Sequence, residues 1–284
     1  ITLDLAVTHS DHLIGEWKSR NSSAGPVGII GGPPCQPFSN SNMHREQEDP
    51  RRYLPQIYAG IIDAFSKRAG LDFFVFENVL GLKSNHSRRW LELFLSSIDR
   101  SRFSVKSFVM DASNFNVPQT RRRLIIVGFD KSRLDIKRWA QPIPSEKPMT
   151  VRDAIFGLAT PIFHKRNLDP REFGLHRNHW ASSPRSSKFA DGSLKQGNME
   201  ARSFRTLSWD KPSWTVAYGH REVHVHPSGS RRLSVFEAML LQGFPPSYEL
   251  LGTYTQQVKQ VSDAVPPPMA HALAASILEF LKNQ

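Results

Sequence analysis

Residues 27–39 read VGIIGGPPCQPFS, and this stretch indicates how the chain folds. Its first five residues form a short apolar run of strand type. The run passes into a tight turn of Gly and Pro that presents Cys35, the single cysteine. A lone cysteine is more often a small buried apolar residue. A stiff turn is a poor place for a core residue, however, and it gives a nucleophile the fixed presentation that it needs.

Strand and helix patterns alternate outward from this turn. Residues 72–77 (DFFVFE) predict a second strand, and the spacing from Leu54 to Phe65 predicts a helix between the two. A further helix over 90–98 and strands over 103–109 and 123–129 follow. This order predicts an α/β layered sheet, whose sites lie in loops at the carboxyl ends of parallel strands.

The composition and periodicity of the sequence change after Phe129. Residues 130–208 are rich in Pro, Ser, Arg and His, and regular patterns return near Trp214. Ser234 and Glu237 have the spacing of a capping box, and three prolines precede a last apolar helix. We therefore expect one large domain made from residues 1–130 and 209–284, with a smaller domain over 131–208 inserted into it.

The chain is strongly basic. It carries a formal net charge of +11 over 284 residues, and residues 131–208 hold 15 Lys and Arg against 7 Asp and Glu. A polyanionic partner accounts for this excess, and a solvated basic surface without a partner is the alternative. No apolar run reaches the length of a membrane span and no signal peptide is visible, so no membrane partner is expected. One cysteine makes no internal disulfide, which fits a reducing cytoplasm.

Two further sets of residues suit chemistry. Glu77 ends the second strand after a run of aromatic residues, and apolar surroundings raise the pKa of a carboxyl group and let it donate a proton near neutral pH. A carboxylate that faces solvent is the alternative. Arg121 and Arg123 point to the same side of an extended segment, where paired guanidinium groups suit a phosphate or a base edge. A basic strand end in solvent is equally compatible with this pair.

The Pro-Cys-Gln turn, the Glu-Asn-Val strand end and the Gln-x-Arg-x-Arg segment occur in that order, and together they resemble the DNA (cytosine-5) methyltransferases. Further blocks match at Asp49–Leu54, Arg231–Glu237, Leu241–Pro245 and Gln260–Pro267. The resemblance covers roughly residues 27–129 and 210–282. It implies a Rossmann-like sheet that uses S-adenosylmethionine, with a small inserted target-recognition domain at 131–208.

The resemblance also implies site residues. Cys35 attacks C6 of a flipped cytosine, Glu77 engages N3, Arg123 contacts the carbonyl oxygen and Arg121 helps to hold the site. The remaining assignments are the cofactor-binding residues Pro34, Leu54, Asp263 and Ala264, and the DNA-binding residues Gln36, Ser39, Ser41, Arg202 and Arg205. The implied partner is double-stranded DNA, the implied setting is a restriction–modification system, and the chemistry requires no metal.

The sequence departs from the family pattern in two places. Asp263 stands where the family has Asn, and its charge would disfavour a nearby cofactor carboxylate. The family's Phe-x-Gly-x-Gly loop, which cradles S-adenosylmethionine, is not found, and 34 residues precede Cys35. We therefore expect an N-terminal complementing polypeptide or segment. Two rival interpretations are a catalytically incomplete DNA-binding subunit and an RNA cytosine-5 methyltransferase. The RNA branch carries a Cys-Phe-Thr element that this chain lacks.

Overall fold

The computed structural model describes residues 4, 7–21, 27–34, 36–38, 49–145, 147–165, 168–198, 204–215 and 224–283, with the backbone alone for Gln36. The helices are α1 Ser10–Arg20, α2 Leu54–Ala69, α3 Arg88–Ser96, α4 Val151–Ile155, α5 Val235–Leu241, α6 Tyr254–Asp263 and α7 Pro267–Lys282. The strands are β1 Gly28–Gly31, β2 Phe73–Val79, β3 Phe103–Asp111, β4 Gln119–Thr120, β5 Arg122–Asp130, β6 Ile162–Phe163, β7 Trp180–Ala181, β8 Arg205–Thr206, β9 Ser213–Trp214 and β10 His224–Val225.

Contacts divide the chain into two compact units. The first contains residues 1–110, 122–141 and 275–284, and the second contains 111–121 and 142–274. Most of the segment predicted as the inserted domain thus belongs to a unit that also includes 209–274. These bounds describe packing and do not test which residues recognise a target, so the recognition role of 131–208 stays a prediction.

The first unit is built on a four-stranded sheet in the order β1-β2-β5-β3. β1 runs parallel to β2, with Ile30 opposite Val75, and β2 runs antiparallel to β5, with Glu77 opposite Ile125. This mixed sheet with helices confirms the predicted α/β class. β1 stands at one end of the sheet, and the Ile30 side chain is 72% exposed there.

The core of the first unit explains why α2 lies along the sheet. Its apolar residues recur at helical spacing, and Tyr58 reaches the sheet, where its hydroxyl donates to the Val75 carbonyl at 2.7 Å. Phe76 is fully buried and stacks on Phe94 of α3 with ring centroids 4.3 Å apart. Burial raises the pKa of Tyr58, so its hydroxyl stays a donor and fixes the helix to the strand.

The second unit has its own core around α5 and α6. Ser234 caps α5 through a capping box with Glu237, as predicted. Asn178 is fully buried, and its side-chain amide donates to the Leu250 carbonyl and to Gln257 Oε1, each at 2.9 Å. Within the described part of the chain, no helix is long and apolar enough to span a membrane.

Candidate active site

A largely buried ion pair joins two strands of the sheet in the first unit. Arg123 Nε lies 2.9 Å from Glu77 Oε1, and the two side chains are 10% and 20% exposed. Val79 is the register partner of Arg123, so Arg123 and Glu77 are diagonal neighbours across β2 and β5. The sequence predicted both residues but not their contact, because nothing in it gives the antiparallel register of these strands.

The loop after β1 packs against this ion pair. A Cβ atom built on Gly32 would lie 2.9 Å from Glu77 Oε2, so the carboxylate occupies the space that a side chain would need. Asn78 Nδ2 donates to the Pro33 carbonyl at 3.0 Å. The turn that leads to Cys35 is thereby tied to the end of β2. Cys35 itself lies outside the described residues.

The turn after Cys35 is held by residues of the next block. Phe38 is buried, and the Arg52 guanidinium lies 6.0 Å from its ring centroid. Asp49 caps the following 3₁₀ turn at the Arg51 amide, and the Arg51 side chain binds the same carboxylate at 2.7 Å. The predicted DNA contacts of Ser39, Ser41 and the Gln36 side chain lie outside the described residues.

An apolar cleft adjoins β1 in the first unit. Its volume is about 380 Å³, and β1, the loop after it, α1 and α2 line it with mostly apolar surface. Pro34 and Leu54, two of the predicted cofactor-binding residues, both line this cleft. Its size and apolar lining suit the flat face of the adenine ring of S-adenosylmethionine. The polar groups that would bind the amino-acid end of that cofactor are not among the residues that line this cleft.

The other two predicted cofactor residues end α6 in the second unit. Asp263 is its last residue, Ala264 follows as its cap, and the exposed Asp263 side chain pairs with Lys259. The carbonyls on both sides of Asp263 are anchored. Arg121 Nη2 donates to the Ser262 carbonyl at 3.0 Å, and Gln242 Nε2 donates to the Ala264 carbonyl at 2.6 Å.

The backbone at Arg121 differs from what the sequence predicted. It lies between β4 and β5 and belongs to neither strand, so the extended segment predicted to carry Arg121 and Arg123 is interrupted. Its amide donates to Asp111 Oδ1 at 3.1 Å, and its side chain is committed to the Ser262 carbonyl. Gln119, the first residue of the same motif, donates from Nε2 to Gln242 Oε1 at 2.8 Å. Arg121 therefore holds the end of α6 directly and Gln119 does so through Gln242, which the sequence did not predict.

The second unit also contains a cationic cluster around aromatic rings. The Arg232 guanidinium lies 5.8 Å from the Phe189 ring and 5.4 Å from the Phe204 ring. Arg205 of β8 pairs in register with His224 of β10, and its Nε is buried with no hydrogen-bond partner among the described residues. Burial and the Arg205 and Arg232 charges lower the pKa of His224 to about 4. Arg202, the other predicted DNA contact, lies outside the described residues.

A family model for the C-5 cytosine-specific DNA methylases matches residues 8–279. The chain belongs to this family. It is thus a DNA cytosine-5 methyltransferase that uses S-adenosylmethionine, as the resemblance implied.

Relatives of this methylase include two bacterial Type II methyltransferases. Type II methyltransferase M.AplI of Arthrospira platensis is 32% identical over 273 residues, which cover 91% of the chain and 70% of that protein. Type II methyltransferase M1.HphI of Haemophilus parahaemolyticus is 30% identical over 298 residues, which cover 99% of the chain and 75% of that protein. The methylase chain therefore corresponds to about three quarters or less of the length of each of these two relatives.

Solved structures support the same fold. A protein described as a DNA modification methyltransferase encoded within prophage Cp of E. coli matches 99% of the methylase and 86% of its own chain, with a TM-score of 0.75 and 22% identity. Entamoeba histolytica methyltransferase EhMeth matches 99% of the methylase and 82% of its own chain, with a TM-score of 0.59 and 14% identity. At these identities the likeness supports the fold and not the substrate.

Proposed function

We propose that this methylase transfers the methyl group of S-adenosylmethionine to C5 of a flipped-out cytosine through a covalent adduct of Cys35. The observation that carries the proposal is the ion pair between Glu77 and Arg123, 2.9 Å apart, beside the loop that leads to Cys35. A nucleophile, a carboxyl group and a guanidinium group then face one base. We assign no catalytic role to the basic residues of the surface, which we propose bind DNA.

The chemistry follows from these groups. The base leaves the stack because its C5 and C6 atoms are otherwise out of reach. The Cys35 thiolate adds to C6, Glu77 holds a proton at N3, and electron density moves to C5. That carbon takes the methyl group that the cofactor supplies. A water molecule then takes the C5 proton, the electrons of that bond re-form the C5–C6 double bond and expel Cys35 as a thiolate, and N3 returns its proton to Glu77. Arg123 binds the carbonyl oxygen throughout.

Arg123 also has a role before the base binds. Its guanidinium is the hydrogen-bonded partner of the Glu77 carboxyl group and holds that side chain beside the loop that leads to Cys35. A positive group close to the Cys35 loop also favours the thiolate. Arg121 then acts indirectly. It holds the end of α6 through the Ser262 carbonyl rather than touching the base.

A covalent trap tests the adduct. A DNA duplex with 5-fluorocytosine at the target should form a stable adduct, because fluorine blocks the final elimination. Cys35→Ser should abolish both the adduct and methyl transfer, since a hydroxyl is a far weaker nucleophile, while duplex binding stays close to that of the parent. An adduct that persists in Cys35→Ser would contradict the assignment. Methylation of an RNA hairpin in preference to DNA would support the RNA alternative.

The methylase should also need the segment that cradles its cofactor. β1 ends the described sheet with Ile30 exposed, and the apolar cleft opens beside it. An edge strand with an apolar flank is a surface that another strand covers. We infer that a segment with a Phe-x-Gly-x-Gly loop, on the same polypeptide or a second one, pairs with β1.

Methyl transfer by residues 1–284, with and without such a segment, tests this requirement. Activity and tight S-adenosylmethionine binding by residues 1–284 without the segment would overturn it. Binding of DNA without methylation in both cases would favour the catalytically incomplete DNA-binding subunit.

Residues 131–208 are proposed to recognise the target in double-stranded DNA. The segment supplies most of the excess charge, and Arg202 and Arg205 are its proposed DNA contacts. Exchange of residues 131–208 for those of a relative with another target should change the sequence that is methylated. An unchanged target would place recognition elsewhere. The names of the relatives favour a restriction–modification system, and a free thiol nucleophile fits a reducing cytoplasm.

A further inference from the structure

A basic and aromatic surface lies at the start of α3 in the first unit. Tyr53 is 55% exposed and meets the buried Trp90 edge to face, with ring centroids 4.8 Å apart. The Arg89 guanidinium lies over the same indole, 4.7 Å from its ring centroid. Lys83 is exposed at the end of a 3₁₀ turn that packs against α3. These four residues form a surface that we call the α3 platform.

The platform carries positive charge that its own segment does not neutralise. Residues 80–91 contain three Lys and Arg and no Asp or Glu. Arg88 pairs with Glu92 at 2.8 Å, whereas Lys83 and Arg89 form no ion pair with the part of the chain that the structure describes. An indole face holds a guanidinium in place and leaves its edge N–H groups to donate elsewhere. Arg89 is thus oriented in advance to bind an anion from solvent.

Backbone hydrogen bonds give the segment between the two cations a fixed shape. The Ser84 amide donates to the Gly81 carbonyl. The Ser84 carbonyl in turn accepts from the Ser87 and Arg88 amides at 2.9 and 2.8 Å. The chain therefore passes from Lys83 to α3 through successive tight turns, and both charges stand on one compact segment.

The platform adjoins the candidate active site on two sides. The 3₁₀ turn that ends at Lys83 directly follows β2, the strand of Glu77, and packs against β5. Lys83 is six residues after Glu77, which limits the distance between them to about 20 Å. On the other side, Phe38 lies under the Arg52 guanidinium, and Tyr53 is the next residue. A flipped base stays attached to its strand, so phosphates of that strand come within reach of the platform.

We propose that the α3 platform binds the phosphate backbone of duplex DNA next to the flipped cytosine. Lys83 and Arg89 would donate to phosphate oxygens, and Tyr53 and Trp90 hold the Arg89 guanidinium for that contact. The inference rests on the proposed function, which places the cytosine at Glu77. A phosphate contact carries no sequence information, but it fixes the register of the strand over the site.

The salt dependence of binding to a DNA duplex of mixed sequence tests the contact. Lys83→Gln with Arg89→Gln should flatten the plot of log affinity against log salt concentration by up to about 1.8, because each lost phosphate contact removes about 0.9. Lys83→Arg with Arg89→Lys keeps both charges and should keep the slope of the parent. This second variant separates the charge of Arg89 from its packing on Trp90.

A matched control removes the same charge elsewhere in the first unit. Lys67 and Arg20 are exposed and pair with Asp63 and Glu16, each one turn away. Lys67 stands near the end of α2, whereas Tyr53 immediately precedes its start. Lys67→Gln with Arg20→Gln should therefore leave the slope unchanged.

Neutral methylphosphonates locate the contact on a duplex with 5-fluorocytosine at the target. In place of the phosphates that flank this base, they should weaken binding by the parent about 10-fold or more, the scale of a lost hydrogen bond between charged groups. They should add little loss in the variant with glutamine at 83 and 89. Equal losses in both proteins would overturn the placement beside the flipped base.

Two further results would also overturn the proposal. One is a parental slope in the glutamine variant, or an equally flattened slope in the variant that keeps both charges. The other is a change of slope with an RNA hairpin but not with the DNA duplex, which would point to RNA as the partner. Failure of the parent to form the 5-fluorocytosine adduct would instead overturn the proposed function. The salt slope would still report whether the platform contacts DNA.

Discussion

Gly32 leaves a space that the Glu77 carboxylate fills. A Cβ atom there would lie 2.9 Å from Glu77 Oε2, and its next contacts are also atoms of Glu77. Such a clash falls on the far end of a flexible side chain, which can move without disturbing the core. The consequence is a position at which a single methyl group displaces the carboxylate and leaves the fold intact.

Gly32→Ala should therefore reduce methyl transfer by about 100-fold with little change in unfolding free energy, since proton-transfer groups are worth about 10²–10⁴ in rate. Single-turnover kinetics and urea unfolding measure the two effects. Gly60→Ala, on α2 with nothing within 4 Å of the added atom, is the control. It should keep full activity and add about 0.5–1 kcal/mol of stability. Normal turnover in Gly32→Ala would mean that Glu77 is not held at this position.

Glu77→Gln should lower the single-turnover rate by about 10²–10⁴ and leave DNA affinity nearly unchanged. The amide keeps the shape but cannot carry the titrating proton, and it leaves the largely buried Arg123 without its countercharge. Glu92→Gln, at an exposed pair with Arg88 on α3, is the control and should have no effect. A Glu77→Gln rate equal to that of the parent would remove Glu77 from the chemistry.

The sequence indicates candidate site residues but not the contacts between them. Glu77 and Arg123 each stand in a recognisable motif, but their ion pair depends on the register between β2 and β5, which local patterns do not encode. The anchoring roles of Arg121 and Gln242 depend on how α6 ends. That helix was not predicted, because its sequence YTQQVKQVSD has few apolar residues to mark a helical face.

At the scale of elements, the segment that leads from the end of β10 into α5 forms a buried charged network. Arg231 binds Glu237 through two hydrogen bonds of 2.7 Å, and His226 Nε2 lies 3.8 Å from the same carboxylate. Burial of Glu237 would raise its pKa, but the Arg231 hydrogen bonds and charge hold that pKa below its ordinary value. Burial lowers the pKa of His226 to about 4 against the opposing charge of Glu237. His224 in β10 and His226 just after it are thus two buried neutral histidines.

These histidines make stability fall on acidification. The unfolded chain takes up their protons below pH 6.5, whereas the folded chain does so near pH 4, so the unfolded state binds more protons in between. Each shift corresponds to roughly 3 kcal/mol, lost as the pH falls from about 6.5 to about 4. Urea unfolding across this range should show the loss, and His226→Gln should flatten it.

His271→Gln, at an exposed position on α7, is the control and should leave the pH profile unchanged. Glu237 acts in the same direction, since its contribution is present above its ordinary pKa and is lost as the pH falls through its lowered one. A profile that is flat between pH 6.5 and 4 in the parent would show that these histidines are not buried as neutral groups.

At the scale of the whole molecule, the dominant quantity is the net charge of +11. A charge of this size steers a polyanion to the protein, but it does not say which cations touch phosphate. Many are already committed within the described residues. Arg102, Arg133 and Arg231, for example, pair with Asp130, Asp72 and Glu237. In the second unit, the Arg232 guanidinium packs on the rings of Phe189 and Phe204, and the charges of Arg205 and Arg232 act on the neutral His224. A bound anion would stabilise these positive charges.

Salt dependence separates phosphate contacts from solvated charge. Each phosphate contact steepens the plot of log affinity against log salt concentration by about 0.9, so Arg202→Gln with Arg205→Gln should flatten the slope by up to about 1.8. Lys282→Gln, at an exposed position near the end of α7, provides the control for lost charge without a contact. It should shift the affinity slightly at low salt and leave the slope unchanged. If the double variant and the control gave the same slope as the parent, the two arginines would be ordinary surface charges. The proposed DNA surface would then have to be sought among other cations of the chain.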